Sequence, residues 1–144
     1  MIIQLTNTKT VRLIINIATH NTCSFTLPHK QQIFFNLYIL HNLDIIAIQE
    51  TNFKNPSDIY SLKPICSNKF VPFFNTDLSL QSMGFGVGFL IKKQLADHLF
   101  HYTSFYHRIY LLDFQFKIKL NFVSLTFMFL AQTVNYIPKP TGKH

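Results

Sequence analysis

Leu43-Asp44-Ile45-Ile46-Ala47-Ile48-Gln49-Glu50-Thr51 is an apolar run that ends abruptly in a carboxylate. Its central residues, Ile45 to Ile48, are β-branched or small. A short unbroken run of this kind reads as a strand buried on both faces. Glu50 then stands at the carboxyl end of that strand, where open α/β sheets place their ligand sites. A carboxylate there is costly unless it is paired, and a divalent metal is one partner that compensates it. The alternative is a glutamate that simply marks the solvent end of a strand.

Upstream lies a second apolar run, Val11-Arg12-Leu13-Ile14-Ile15-Asn16-Ile17-Ala18-Thr19-His20-Asn21, which predicts a strand over 11–20 ending in polar residues. Between the two runs, Ile33, Phe34, Leu37, Tyr38 and Ile39 or Leu40 recur at helical spacing. Pro28 suits the first turn of that helix, expected over 29–41, and Asn42 suits the left-handed residue beyond its last turn. Strand, crossover helix and strand make the two strands parallel, with their carboxyl ends on one rim. Asn21 and Glu50 are therefore expected to face the same cleft.

The segments downstream follow in an order that has a known counterpart. Lys69-Phe70 to Phe74 fits a short strand after a variable loop. Gly84-Phe85-Gly86-Val87-Gly88-Phe89-Leu90-Ile91-Lys92-Lys93 fits a glycine-led apolar strand, and its glycines favour a turn or a close backbone approach over a phosphate loop. His107 to Phe114 and Lys119 to Ser124 fit an antiparallel pair. With Asn21 and Asp44-Ile45-Ile46-Ala47-Ile48-Gln49-Glu50-Thr51, this set resembles the endonuclease/exonuclease/phosphatase superfamily. It is most similar to the endonuclease domains of non-LTR retrotransposons, over roughly residues 11 to 125.

The resemblance implies Mg²⁺-dependent phosphodiester hydrolysis, with DNA as the ancestral substrate. It implies that Glu50 is the metal ligand and that Asn21 helps position metal and scissile phosphate. It also implies a tyrosine near the end of the strand after Phe122, then an Asp-x-Asn motif and a closing Asp-His pair that serves as base. Thr126 occupies the tyrosine position, and no aspartate follows residue 125. The expectation is a truncated, degenerate member with Mg²⁺ binding weak or absent and no activity alone. The rival reading is a non-enzymatic remnant, or a weak nucleic-acid-binding fragment of a mobile element. Phosphatase action on a lipid or nucleotide is a third reading, since one scaffold hosts several chemistries.

Three segments are expected: a lead-in over 1–10, a partial catalytic domain over 11–125, and a divergent tail over 126–144. The fold class is α/β, about half of a four-layer sandwich. One mixed β-sheet is expected from 11–20, 43–50, 69–74, 84–92 and 108–125, with the second sheet mostly missing. An exposed apolar sheet face would then promote self-association.

Composition narrows the classes. With 144 residues and 48% hydrophobic content, one ordered domain is expected rather than a disordered chain. A net charge of +7 fits a polyanionic partner, with DNA as the candidate. Yet Arg12, Lys30, Lys54, Lys63, Lys69, Lys92, Lys93, Arg108, Lys117 and Lys119 are scattered along the chain. Cys23 and Cys66 lack paired spacing and read as free thiols. Asp97, His98 and His101 share a short stretch but bring no further fixed ligand. The first residues lack a basic region followed by an apolar core, so no secretion signal is expected, and the longest apolar run, Phe122 to Ala131, is too short to span a bilayer. An intracellular site, nucleus or cytoplasm, is the expectation.

Overall fold

The computed structural model describes residues 2–5, 11–66, 68–74, 86–105, 109–118 and 121–130. Its architecture is α/β. A mixed sheet carries helices on one face and a second, antiparallel sheet on the other. Among the described residues no helix is long and apolar enough to cross a membrane.

The first sheet takes its central strand from the Ile45-Ile46-Ala47-Ile48-Gln49 run. Strand β3 (Ile17–Asn21), helix α1 (Pro28–Leu40) and strand β4 (Ile45–Gln49) form the expected crossover unit. β3 and β4 pair in parallel, Ile17 with Ile45 through Asn21 with Gln49. Helices α2 (Pro56–Tyr60) and α3 (Leu62–Cys66) follow, and then β5 (Phe70–Phe74) and β6 (Val87–Lys92) complete the sheet in the order β3-β4-β6-β5. Pro28 begins α1, and Asn42 turns the chain out of it at φ +49°. That backbone is cheap for asparagine because its short polar side chain tolerates the left-handed region.

β4 is buried on both faces, and alternation decides where each side chain goes. Ile46 and Ile48 join Phe35 and Tyr38 of α1, Leu62 and Cys66 of α3, and Leu90 in a helix-side core. Burial pushes the Cys66 thiol up to about 12, which keeps it inert, and Cys23 is likewise free. Ile45 and Ala47 point the other way with Phe89 and Ile91.

That second face carries the largest correction to the sequence reading. Residues 108–125 do not extend the first sheet. After the short helix α4 (Lys93–Ala96), strands β7 (Leu99–Phe105), β8 (Ile109–Ile118) and β9 (Asn121–Leu130) form a separate antiparallel sheet. Tyr110, Leu112, Phe114 and Phe116 alternate inward from β8 and pack on Phe89 and Ile91. Leu125, Phe127 and Phe129 of β9 support them. Each buried side chain of this size contributes about 1.5–3 kcal/mol, so the apolar face of the first sheet is covered, not exposed. β9 also runs on through residue 125, pairing Thr126 with Asp113 and Leu130 with Ile109. Residues 131–144 lie outside the described residues.

Two smaller differences are local. The run 11–20 splits into β2 (Val11–Ile14) and β3, and β2 pairs instead with β1 (Ile2–Leu5) from the lead-in. The break has a cause in Asp44. The Asn16 amide donates to Asp44 Oδ2 at 2.9 Å, and the Asp44 amide donates back to the Asn16 carbonyl at 2.8 Å. In α1 the buried stripe is Gln31, Phe35 and Tyr38, whereas Ile33 and Leu37 are 55% and 43% exposed. The helix is apolar around much of its circumference, so periodicity did not select one face.

Candidate functional site

At the carboxyl rim of β3 and β4 the chain is held in an unusual backbone. Cys23, Ser24, Glu50 and Asn52 all have positive φ, at +46°, +85°, +53° and +55°. Each such non-glycine residue costs on the order of 1–2 kcal/mol, and clustered strain of this kind is a mark of functional rims. A hydrogen-bond lattice maintains it. Thr22 donates its amide to the Gln49 carbonyl at 3.0 Å, Ser24 to Glu50 at 2.8 Å and Phe25 to Thr51 at 2.8 Å. The Thr22 hydroxyl, buried, also bonds the Gln49 carbonyl at 3.0 Å.

This lattice brings Asn21 and Glu50 together. Asn21 Nδ2 donates to Glu50 Oε1 at 2.8 Å, although 29 positions separate the two residues. Asn21 Oδ1 accepts the Cys23 amide at 3.0 Å, which fixes the amide orientation. Both side chains reach solvent at the rim. Glu50 itself is half-buried, and its Oε1 is the carboxylate oxygen that Asn21 bonds.

The opposite strand closes the rim by close approach. The Thr51 amide donates to the Gly86 carbonyl at 3.1 Å. Gly86 has φ +104°, and a Cβ there would lie 2.1 Å from Thr51 Oγ1. Only glycine meets both demands.

Lys30, in the first turns of α1, places its ammonium against the rim. Nζ donates to the Thr22 carbonyl at 2.5 Å and to the Cys23 carbonyl at 3.2 Å. Beside it, His20 points at the helix, not at Asn21 and Glu50. Its Nδ1 lies 2.6 Å from Tyr38 Oη and its ring is 4.3 Å from that of Phe34. Burial pushes the Tyr38 phenol up, so its hydroxyl stays protonated and shares this hydrogen bond with Nδ1, the donor being set by the imidazole tautomer. Burial, and secondarily the charge on Lys30, hold the His20 pKa below its usual value of 6.5. The unfolded chain then binds this proton more readily than the folded one. Stability is full above pH 6.5 and falls as pH drops below it. Urea denaturation across this range should show the loss, and His20→Gln should flatten it. An equal slope in the variant would assign the effect to another group.

Other residues singled out in the sequence lie elsewhere. Thr126 is exposed on the outer face of the second sheet, where its hydroxyl donates to Asp113 Oδ1 at 2.6 Å. Its neighbours Leu125 and Phe127 face the core, so alternation turns Thr126 away from the first sheet. His98 packs on Phe116 at 4.8 Å, and His101 Nε2 lies 2.9 Å from Thr103 Oγ1. Arg108 and Gly84 fall outside the described residues. Among the described residues no three His, Cys, Asp or Glu side chains converge on a metal site. Lys30, Thr22 and Gly86 carry the rim but have little sequence signal. Only the glycine spacing pointed to one of them.

No family model matches the chain, and no curated protein matches it. Among solved structures, it is similar to D. rerio TDP2 complexed with single strand DNA product, with a TM-score of 0.46 and 16% sequence identity. The match covers 85% of this chain and 48% of that one, so the chain spans about half the length of the structure it matches.

Proposed function

We propose that the Asn21–Glu50 rim is a Mg²⁺- and phosphate-binding site of the endonuclease/exonuclease/phosphatase type, with DNA as substrate class. The observation that supports this reading most is the 2.8 Å bond between Asn21 and Glu50 at the shared carboxyl rim of parallel strands. One rim carboxylate, positioned by an amide, and an incoming phosphate fit Mg²⁺, which keeps most of its waters and uses few protein ligands. When bound, the metal would neutralise charge on the phosphoryl oxygens. Asn21 would orient Glu50 at the rim, and Lys30 would add positive potential beside it.

The same geometry sets the expected limit. Mg²⁺ gives up water reluctantly, so a single carboxylate holds it weakly without the phosphate. No described side chain at the rim stands ready to deprotonate an attacking water. A general base typically contributes about 10²–10⁴-fold, so the chain alone is expected not to cleave DNA at an appreciable rate. Plasmid nicking in Mg²⁺ checks this. Native chain and Glu50→Ala should both remain at background. Robust nicking that Glu50→Ala abolishes would show that the rim is a complete nuclease site.

A second reading, a weak nucleic-acid-binding module without catalysis, draws on the net charge of +7. It differs in requiring no metal at Glu50.

A further inference from the structure

A cavity of about 420 Å³ opens at the rim opposite Glu50, where β4 and β5 begin and β6 ends. A five-residue strand separates the two rims, a distance of roughly 17 Å. None of the residues lining the cavity belongs to the Asn21–Glu50 lattice. Its apolar lining comes from Ile39 and Leu43 with an edge of the buried Phe70, and Asn42, Asn68 and Gln94 are polar. The lining also includes Lys69, Lys92 and Lys93.

The three lysines are not equivalent. Lys92 Nζ is committed, 3.1 Å from Asp44 Oδ1 and 2.9 Å from Asn42 Oδ1. Lys69 and Lys93 are held side by side by the Lys93 amide, which donates to the Lys69 carbonyl at 2.8 Å. Both are exposed, neither pairs with a carboxylate among the described residues, and no acidic residue lines the cavity. Two uncompensated ammonium groups beside an apolar lining match a dianion carried on an apolar body. The volume lies within the usual range for small-molecule pockets. Lysine binds phosphate as a point charge, and two lysines match the two charges of a phosphomonoester.

We propose that this pocket is a second binding site that takes a phosphomonoester on a flat apolar body, of the nucleoside monophosphate class. The base would lie on Ile39 and Leu43, and the phosphate would meet Lys69 and Lys93. The shared chemistry comes either from a free nucleotide or from the phosphorylated end of a strand.

Calorimetric titration of the full chain with AMP tests it, with inorganic phosphate and adenosine as half-ligands. AMP should bind at least about tenfold more tightly than either, since the lysines and the apolar lining both contribute. Lys69→Gln combined with Lys93→Gln should weaken AMP by about tenfold or more. Lys69→Arg with Lys93→Arg should retain it, and Lys54→Gln, at the other rim, should leave it unchanged. Circular dichroism of each variant confirms folding. Tighter binding of a 5′-phosphorylated oligonucleotide than of AMP or its 5′-hydroxyl form assigns a strand end, and the reverse assigns the free nucleotide. AMP binding no tighter than inorganic phosphate overturns the proposal. So does an affinity unmoved by the Lys69 and Lys93 glutamines, or one lowered equally by Lys54→Gln.

Discussion

Phe89→Ala should destabilise the fold by about 3–5 kcal/mol, the usual cost of emptying a buried aromatic site. Phe89 is 1% exposed and stands where the two sheets meet. Its ring lies 5.4 Å from that of Tyr110 and 4.8 Å from that of Phe129, both inclined edge to face. Removing it opens a cavity between the sheets and also forfeits these aromatic contacts. Backbone pairing between β4, β5 and β6 prevents the gap from closing by a simple shift. Urea denaturation gives the cost. A loss below about 1 kcal/mol would mean that the second sheet does not cover this face, as expected of an exposed residue.

Gly86→Ala should cost about 2–5 kcal/mol. Two terms add here. The left-handed backbone at φ +104° penalises any Cβ by about 1–2 kcal/mol. The new methyl would also meet Thr51 Oγ1 at 2.1 Å, and overpacking costs typically about 1–3 kcal/mol. A double-mutant cycle with Thr51→Ala separates them. The clash should vanish in the double variant, giving a coupling of about 1–3 kcal/mol, and the backbone cost should remain. Additive effects would remove the close approach as the reason for glycine.

Much of the first sheet was legible because local and global signals agreed. The Ile45–Ile48 run is apolar on both faces, and both faces are indeed buried. Pro28 and Asn42 mark the helix ends by backbone chemistry that depends on no distant contact. From these the parallel register follows, and with it the meeting of Asn21 and Glu50. Non-local contacts escaped. The break after Ile14 depends on Asp44 reaching Asn16 across 28 positions. The second sheet was misplaced because the alternation in β8 and β9 reveals one buried face but not what covers it. The basic pocket was hidden for a similar reason. Lys69, Lys92 and Lys93 read as scattered surface charges until antiparallel pairing sets Phe70 beside Lys92.

The central claim is that metal and phosphate meet at Asn21 and Glu50. Mn²⁺ substitutes for Mg²⁺ at oxygen sites and broadens nearby amide signals even when it binds weakly. It should be titrated into ¹⁵N-labelled chain with a single-stranded oligonucleotide present. The expected result is selective broadening at Thr22 to Ser24 and Gln49 to Asn52, deepened by the oligonucleotide and lost in Glu50→Gln. Broadening elsewhere with this rim untouched, or broadening here that survives Glu50→Gln, would contradict the assignment.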